Sequence, residues 1–163
     1  MKVQLLVLLL VLFTGFKQIK AIDYKSLDRK AFYNVLKSGT VDAINDEITA
    51  VESSNIKGKD AFEGTLLMKK AGLLKVPKQK LENFKKGRIK LETAIKNDST
   101  NTEYRFMRLI IQEHAPKQAK YQAQLKTDAD FITQYFKTLS PELQEIIIDY
   151  SKQSKTLSTA SLR

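Results

Sequence analysis

From Ile22 onward, apolar positions recur three and four residues apart, the period of a helix with one buried face. Glycine and proline are scarce and fall mostly between these periodic stretches, as in helices joined by short turns. The pattern predicts seven helices. The first spans Tyr24 to Lys37, with Tyr24, Leu27, Ala31 and Val35 as its stripe. The second spans Val41 to Ser53 behind Thr40, whose hydroxyl suits an N-cap. Val41, Ile44, Ile48 and Val51 form its inward face, while Asp42, Asn45, Asp46, Glu47 and Glu52 face away.

The third helix spans Lys59 to Lys75, with Phe62, Leu66 and Leu73 on one side. Gly64 and Gly72 lower its propensity by ~1 kcal/mol each relative to alanine, so close helix approach is their expected use. The fourth starts at Pro77, whose missing donor suits a first helical position. It runs to Asn97 on Leu81, Phe84, Leu91 and Ile95, with Gly87 and Ala94 as small residues on the same side. The fifth runs from Thr102 to Ala115 between a capping Asn101 and a terminating Pro116. Tyr104, Phe106, Met107, Leu109, Ile110 and Ile111 cover most of its circumference, which predicts a central, buried helix. The sixth is expected over Lys117 to Leu139, on Tyr121, Leu125, Ala129, Ile132, Phe136 and Leu139. Ser140-Pro141 opens the seventh, which runs to Lys152 on Leu143, Ile146, Ile147 and Tyr150. The serine- and threonine-rich tail 154–163 reads as disordered. No segment alternates with period two long enough to be a strand, so the fold class is all-α, with the helices in antiparallel hairpins, as a superhelical stack or an irregular bundle.

The N-terminus departs from this pattern. Met1-Lys2 is followed by an apolar run, Val3 to Phe13, broken only by Gln4, and then by Thr14, Gly15 and a small residue at Ala21. A positive start, an apolar core of roughly 7–15 residues and a small residue at the cut define a secretory signal peptide. The run is short for a bilayer core of ~30 Å, which takes ~20 residues. The expected organisation is a signal peptide over 1–21, cut after Ala21 with Ile19 three positions before the cut, then a helical domain over 22–153. The mature chain is then periplasmic or extracellular, with no transmembrane span, and no cysteine follows the run to carry a lipid anchor.

Composition narrows the chemistry. The chain has no cysteine and one histidine, His114. Thiol catalysis, zinc–thiolate sites and iron–sulfur clusters are excluded, disulfides cannot support the fold, and no cofactor is expected. Loss of Lys2, Lys17 and Lys20 with the signal peptide lowers the formal charge from +10 to +7. A basic balance bears on partners rather than on fold. Outside the cytoplasm those partners are anionic surfaces or acidic proteins, not nucleic acid.

Four constellations carry candidate chemistry. Arg105, Arg108 and Gln112 share one face of the fifth helix, and arginine in a partly desolvated wall suits capture of carboxylate or phosphate. The competing reading is internal pairing with acids such as Glu63, Glu82 or Glu103, or a solvent-facing stripe. Tyr104 and His114 flank that stripe. Glu113-His114 titrates in a useful range, but a histidine ahead of a helix-ending proline also suits a C-terminal cap, where its charge complements the dipole. The stretch Lys69 to Lys96 holds ten basic residues against Glu82 and Glu92. Lys69, Lys70, Lys85, Lys86, Arg88 and Lys90 are its candidate anionic-surface footprint, against the reading of a solvated face. Asp42, Asp46 and Glu47 lack the glycine-bearing loop that calcium needs. No phosphate loop, Gly-x-Ser-x-Gly or His-Glu-x-x-His is present, and no metal site is expected.

Across the fourth helix and the following turn, Gly87, Leu91, Ala94 and Ser99 fall at the offsets of a tetratricopeptide second helix and its turn. The stretch from Ala94 to Glu103 resembles the turn between such repeats. Serine stands where the family has proline, the preceding helix lacks the family's Trp–Leu-Gly–Tyr spacing, and Arg105, Arg108 and Leu109 fill the next repeat's defining positions. The resemblance covers roughly a quarter of the chain and implies a stack of helical hairpins that binds a protein or peptide on a concave face. The general pattern also resembles small exported helical proteins of Bacteroidota, which implies no activity.

The expected function is therefore an exported, non-catalytic module that binds another protein, a peptide or a ligand along a groove formed by Arg105, Arg108, Gln112 and nearby tyrosines. Two alternatives stay open: a small exported enzyme with an unrecognised site, and a peripheral envelope-surface protein that uses its basic face.

Overall fold

A computed structural model of the chain describes residues 26–162. The expected signal peptide lies outside these residues. The described residues form seven α-helices and no strand: α1 (Arg29–Ser38), α2 (Val41–Ser53), α3 (Lys59–Leu73), α4 (Pro77–Asn97), α5 (Thr102–His114), α6 (Leu125–Tyr135) and α7 (Pro141–Ser151). Short 3-10 turns lie at Lys117–Ala119, Phe136–Thr138 and Thr159–Leu162. Among these residues no helix is long and apolar enough to cross a membrane.

Four of the seven helices start where a side-chain oxygen meets an orphan amide. Thr40, Asn101 and Ser140 accept from the amides of Ala43, Tyr104 and Leu143. Asp28 does the same for Ala31, so α1 begins five residues later than the Tyr24 start expected from periodicity. Its buried face is Phe32, Tyr33 and Leu36 rather than the expected stripe. Two aromatics and a leucine bury far more apolar area than Ala31 and Val35 do, and that decides which side turns inward.

Helix α5 is the centre of the molecule. Every residue from Phe106 to Gln112 is buried, and α3, α4 and α6 pack around it. Phe32, Tyr33, Phe62, Tyr104, Phe106 and Tyr150 meet in a chain of mostly edge-to-face contacts with ring centroids 5.0–6.4 Å apart, geometry that suits the aromatic quadrupole. Arg29 of α1 holds Glu103 at 2.8 Å, in the first turn of α5, where a carboxylate also complements the helix dipole.

Helices α3 and α4 cross at two glycines. A Cβ on Gly87 would lie 2.4 Å from the carbonyl oxygen of Gly64, and a Cβ on Gly64 would lie 2.6 Å from that of Gly87. Gly64 thus serves the close approach expected of it. Gly72 does not, because a Cβ there meets nothing within 4 Å.

The sixth helix is shorter than its periodicity predicts. The chain turns through Lys117–Ala119, and Lys120 adopts a left-handed conformation with φ 47°. Regular helix resumes only at Leu125. The break seats Tyr121 against α4, where its ring packs edge-on to Phe84 at 5.7 Å, lies under the Arg88 guanidinium at 4.9 Å, and its hydroxyl donates to Glu92. Phe84, Arg88 and Glu92 are successive four-residue steps along one side of α4, so a single stripe receives the whole side chain.

The tail also differs from expectation. Residues 154–162 fold back on the core, with Leu157 and Leu162 buried. Glu113 is the anchor: it accepts from the hydroxyls of Tyr150 and Ser154 and from the amides of Lys155 and Thr156. Composition misled here because the serines and threonines fold onto one another and onto this carboxylate rather than onto water. Burial raises the pKa of Glu113, but these hydrogen bonds outweigh it and hold the group below its ordinary value. A lowered folded pKa contributes stability above the unfolded pKa of about 4.3, and that contribution is lost as pH falls through the folded value. Protection of the Thr156 and Leu157 amides from hydrogen exchange should therefore drop between neutral pH and about pH 3. Glu113→Gln should abolish this pH dependence, and unchanged protection at acid pH would show that the tail is held by its leucines alone.

Candidate functional site

The arginine stripe of α5 is turned inward onto acids. Arg108, 6% exposed, holds the fully buried Asp128 with two parallel hydrogen bonds of 2.7 and 2.8 Å. Its remaining nitrogen reaches Glu92 at 2.8 Å. Burial opposes its charge, but Asp128 and Glu92 outweigh that and raise its pKa. Arg105 adds a 3.1 Å contact to Asp128, caps the Ser99 carbonyl at 2.8 and 3.0 Å, and lies over the Phe131 ring at 4.2 Å. Gln112 is fully buried, donates to Gln124 at 3.0 Å, and leaves its own Oε1 without a partner among the described residues. Tyr104 packs over Gly58, which has φ +71° and would meet the Tyr104 hydroxyl if it carried a Cβ. Four of the five expected binding residues thus connect α5 to its neighbours rather than line a groove. The internal acids are Glu92 and Asp128, not Glu63, Glu82 or Glu103. Both lie on helices that only the tertiary fold brings to α5.

The basic residues do not form one surface. Lys70 donates to Asn45, Lys90 pairs with Asp60 and Glu63, and Lys86 lies 3.7 Å from Glu63. Arg88 covers Tyr121, and Lys85 points outward. Lys86 and Lys90 pair back onto acids of α3 while Arg88 lies over Tyr121 and Lys85 faces out, so these residues are spread over different sides of the hairpin.

The fifth residue, His114, and one basic residue, Lys69, come together elsewhere. A cleft of about 370 Å³ opens between α1, α5 and α7, with the last turns of α3 at one edge. Its floor is apolar: Tyr33, Leu36, Phe106, Ile110, Ile111 and Ile146. Its mouth is charged. Lys30 and Lys37 of α1 reach across to Glu145 and Asp149 of α7 at 3.4 and 3.1 Å, so both acids are already engaged. The pKa of Asp149 is lowered by Lys37 and Lys152. His114 closes the C-terminal end of α5 with Nδ1 2.8 Å from the Ile110 carbonyl. Lys69 is different. It is half-buried, burial lowers the pKa of its ammonium, and no carboxylate among the described residues offsets that. The hydroxyls of Tyr33 and Tyr150 turn away from the cleft toward Glu103 and Glu113, leaving their rings as wall.

Sequence reading missed this cleft because its floor is made of core residues from three helices distant in sequence. Phe106, Ile110 and Ile111 read as packing, which they also are. The only early signal was Lys69 in a third helix that otherwise buries its neighbours. Among the described residues no group of three or more His, Cys, Asp or Glu is placed to hold a metal ion. No family model, curated protein or solved structure matches the chain.

Proposed function

We propose that the chain is a non-catalytic binding module, exported after removal of its N-terminal segment, that takes an apolar ligand with one acidic group into the cleft between α1, α5 and α7. The observation that carries this reading is Lys69, a half-buried ammonium with no acid partner among the described residues, at the edge of an apolar cavity. Burying a charge without a partner is unfavourable, and an incoming anion supplies the missing partner. The cavity is within the size range of small-ligand sites, roughly 300–1,000 Å³, and has their usual makeup of apolar walls with few polar groups. Glu145 and Asp149 pair with Lys30 and Lys37, so the charge left for a ligand is that of Lys69. The same engagement weighs against an enzymatic reading, since a general acid or base beside His114 would have to leave its lysine first. The ligand is read as a small amphiphile or the apolar, acid-bearing end of a peptide. The hairpin-stack resemblance is compatible with this as a scaffold analogy only.

Two fluorescent probes with the same aromatic body test the reading. Anionic 1-anilinonaphthalene-8-sulfonate should bind more tightly than neutral N-phenyl-1-naphthylamine. Lys69→Met should weaken the sulfonate by about tenfold and leave the neutral probe unchanged, because a charged hydrogen bond contributes about 1.5 kcal/mol or more. Ile146→Trp should fill the cleft and block both. If both variants bind both probes as the parent does, the cleft is not the site.

A further inference from the structure

The α3–α4 hairpin extends past the core. The buried residues of α4 are Gly87, Leu91 and Ile95, all in its second half, and every residue from Lys75 to Glu82 is exposed. This projecting tip is not polar in the way an exposed tip usually is. Six large apolar side chains are exposed among the described residues, and four of them, Leu73, Val76, Leu81 and Ile89, fall within this one segment at 41–67% exposure. The same segment, 73–89, carries six basic residues and a single acid, Glu82. Lys75, Lys78, Lys80 and Lys85 make no ion pair with any described carboxylate, in contrast to Lys86 and Lys90 further along α4. Lys78, Leu81, Lys85 and Ile89 recur at steps of three and four, so basic and apolar groups share one stripe on the side of α4 opposite Gly87 and Leu91.

We propose that this hairpin tip docks on the surface of an anionic lipid bilayer. The two halves of the pattern discriminate between partners. A soluble polyanion would use the lysines but leave Leu81 and Ile89 in water. An apolar protein groove would use the leucines but has no need of four unpaired ammonium groups. A second copy of this chain would bring an equally basic face against this one. An anionic bilayer uses both: the apolar side chains enter the boundary between headgroups and acyl chains, and the lysine stems lie along them while the ammonium groups reach the phosphates. Each lysine near such a surface strengthens binding by about fivefold, and the attraction weakens with salt. The inference is independent of the cleft, since none of these residues lines it.

The chain has no cysteine, so single cysteines can be placed and labelled with an environment-sensitive nitrobenzoxadiazole group. The full chain carrying Leu81→Cys, Ile89→Cys or, as a control on α7, Ile148→Cys is mixed with vesicles of phosphatidylcholine alone or with added phosphatidylglycerol. Labels at 81 and 89 should shift to the blue and brighten several-fold with the anionic vesicles only, the label at 148 should not, and high salt should reverse the change. Combining Lys75→Glu, Lys78→Glu, Lys80→Glu and Lys85→Glu should abolish the shift with the helical circular dichroism unchanged. Sedimentation of the chain with its tip labels still in water would overturn the proposal and assign vesicle binding to the apolar run Val3–Phe13. Equal affinity for heparin and anionic vesicles, with no shift on either, would assign the tip to soluble polyanions. Failure to sediment with either vesicle would overturn it outright.

Discussion

Asp128→Ala is expected to destabilise the protein by about 3–5 kcal/mol, the usual effect of stripping one partner from a buried ion pair. At this size that is a fall in Tm of about 10–15 °C. Asp128 has no solvent exposure and receives two hydrogen bonds from Arg108 and one from Arg105. Removing it leaves a desolvated guanidinium with Glu92 as its only acid among the described residues. The loss is larger than that of the Arg29–Glu103 pair because Arg29 can turn to water. The double variant Arg108→Met, Asp128→Leu should recover most of the loss, since two apolar side chains need no partner in the same space. Chemical denaturation of the three proteins separates the cases. A shift below about 1 kcal/mol for Asp128→Ala would show that Arg108 is satisfied without it and that α6 is held to α5 by packing alone.

The second large effect is expected at the glycine crossing. Gly87→Val should cost at least about 3 kcal/mol, the upper end for overpacking, because the first new atom meets a carbonyl oxygen rather than a movable side chain. Relief requires α3 and α4 to separate, which unpacks Leu67, Met68 and Leu91. Gly72→Ala is the matched control. It also lies in a helix but has open space around it, so the better propensity of alanine should raise stability by about 0.5–1 kcal/mol. Equal and opposite urea midpoint shifts are not expected; the first should be several times the second. A neutral Gly87→Val would mean that the two helices are not in backbone contact.

The contrast between these glycines shows what was legible beforehand. Periodicity and caps located α2, α4, α5 and α7 within a residue or two, because Thr40, Pro77, Asn101, Pro116 and Ser140-Pro141 are local signals that act through the backbone. The central place of α5 was also readable, since its apolar residues leave no side for water. Gly64 and Gly72 look alike in sequence, and only the position of α4 tells them apart. Pro116 marks the end of α5, but nothing local shows that regular helix resumes only at Leu125, because the seat of Tyr121 on Phe84, Arg88 and Glu92 is a tertiary fact. The arginines posed the same problem. Their spacing placed them on one face, but Asp128 and Glu92 reach that face from α6 and α4, and their arrival turns an apparent recognition surface into a structural joint. The cleft was hidden for the converse reason: its walls are ordinary core residues, and a cavity is a gap between elements that no local pattern encodes.

The folded-back tail bears on how the molecule is made. Leu157 and Leu162 belong to the same hydrophobic cluster as Phe32, and Glu113 at the end of the central helix finds three of its donors in Ser154, Lys155 and Thr156. Helices α3 and α4 are neighbours in sequence and can pair as soon as both exist. The central helix cannot be fully enclosed until residues 154–162 are in place. Closure of the core therefore waits on residues 154–162. A chain truncated after Gln153 should carry an open core and be cleaved by proteases at sites that the chain with residues 154–162 protects.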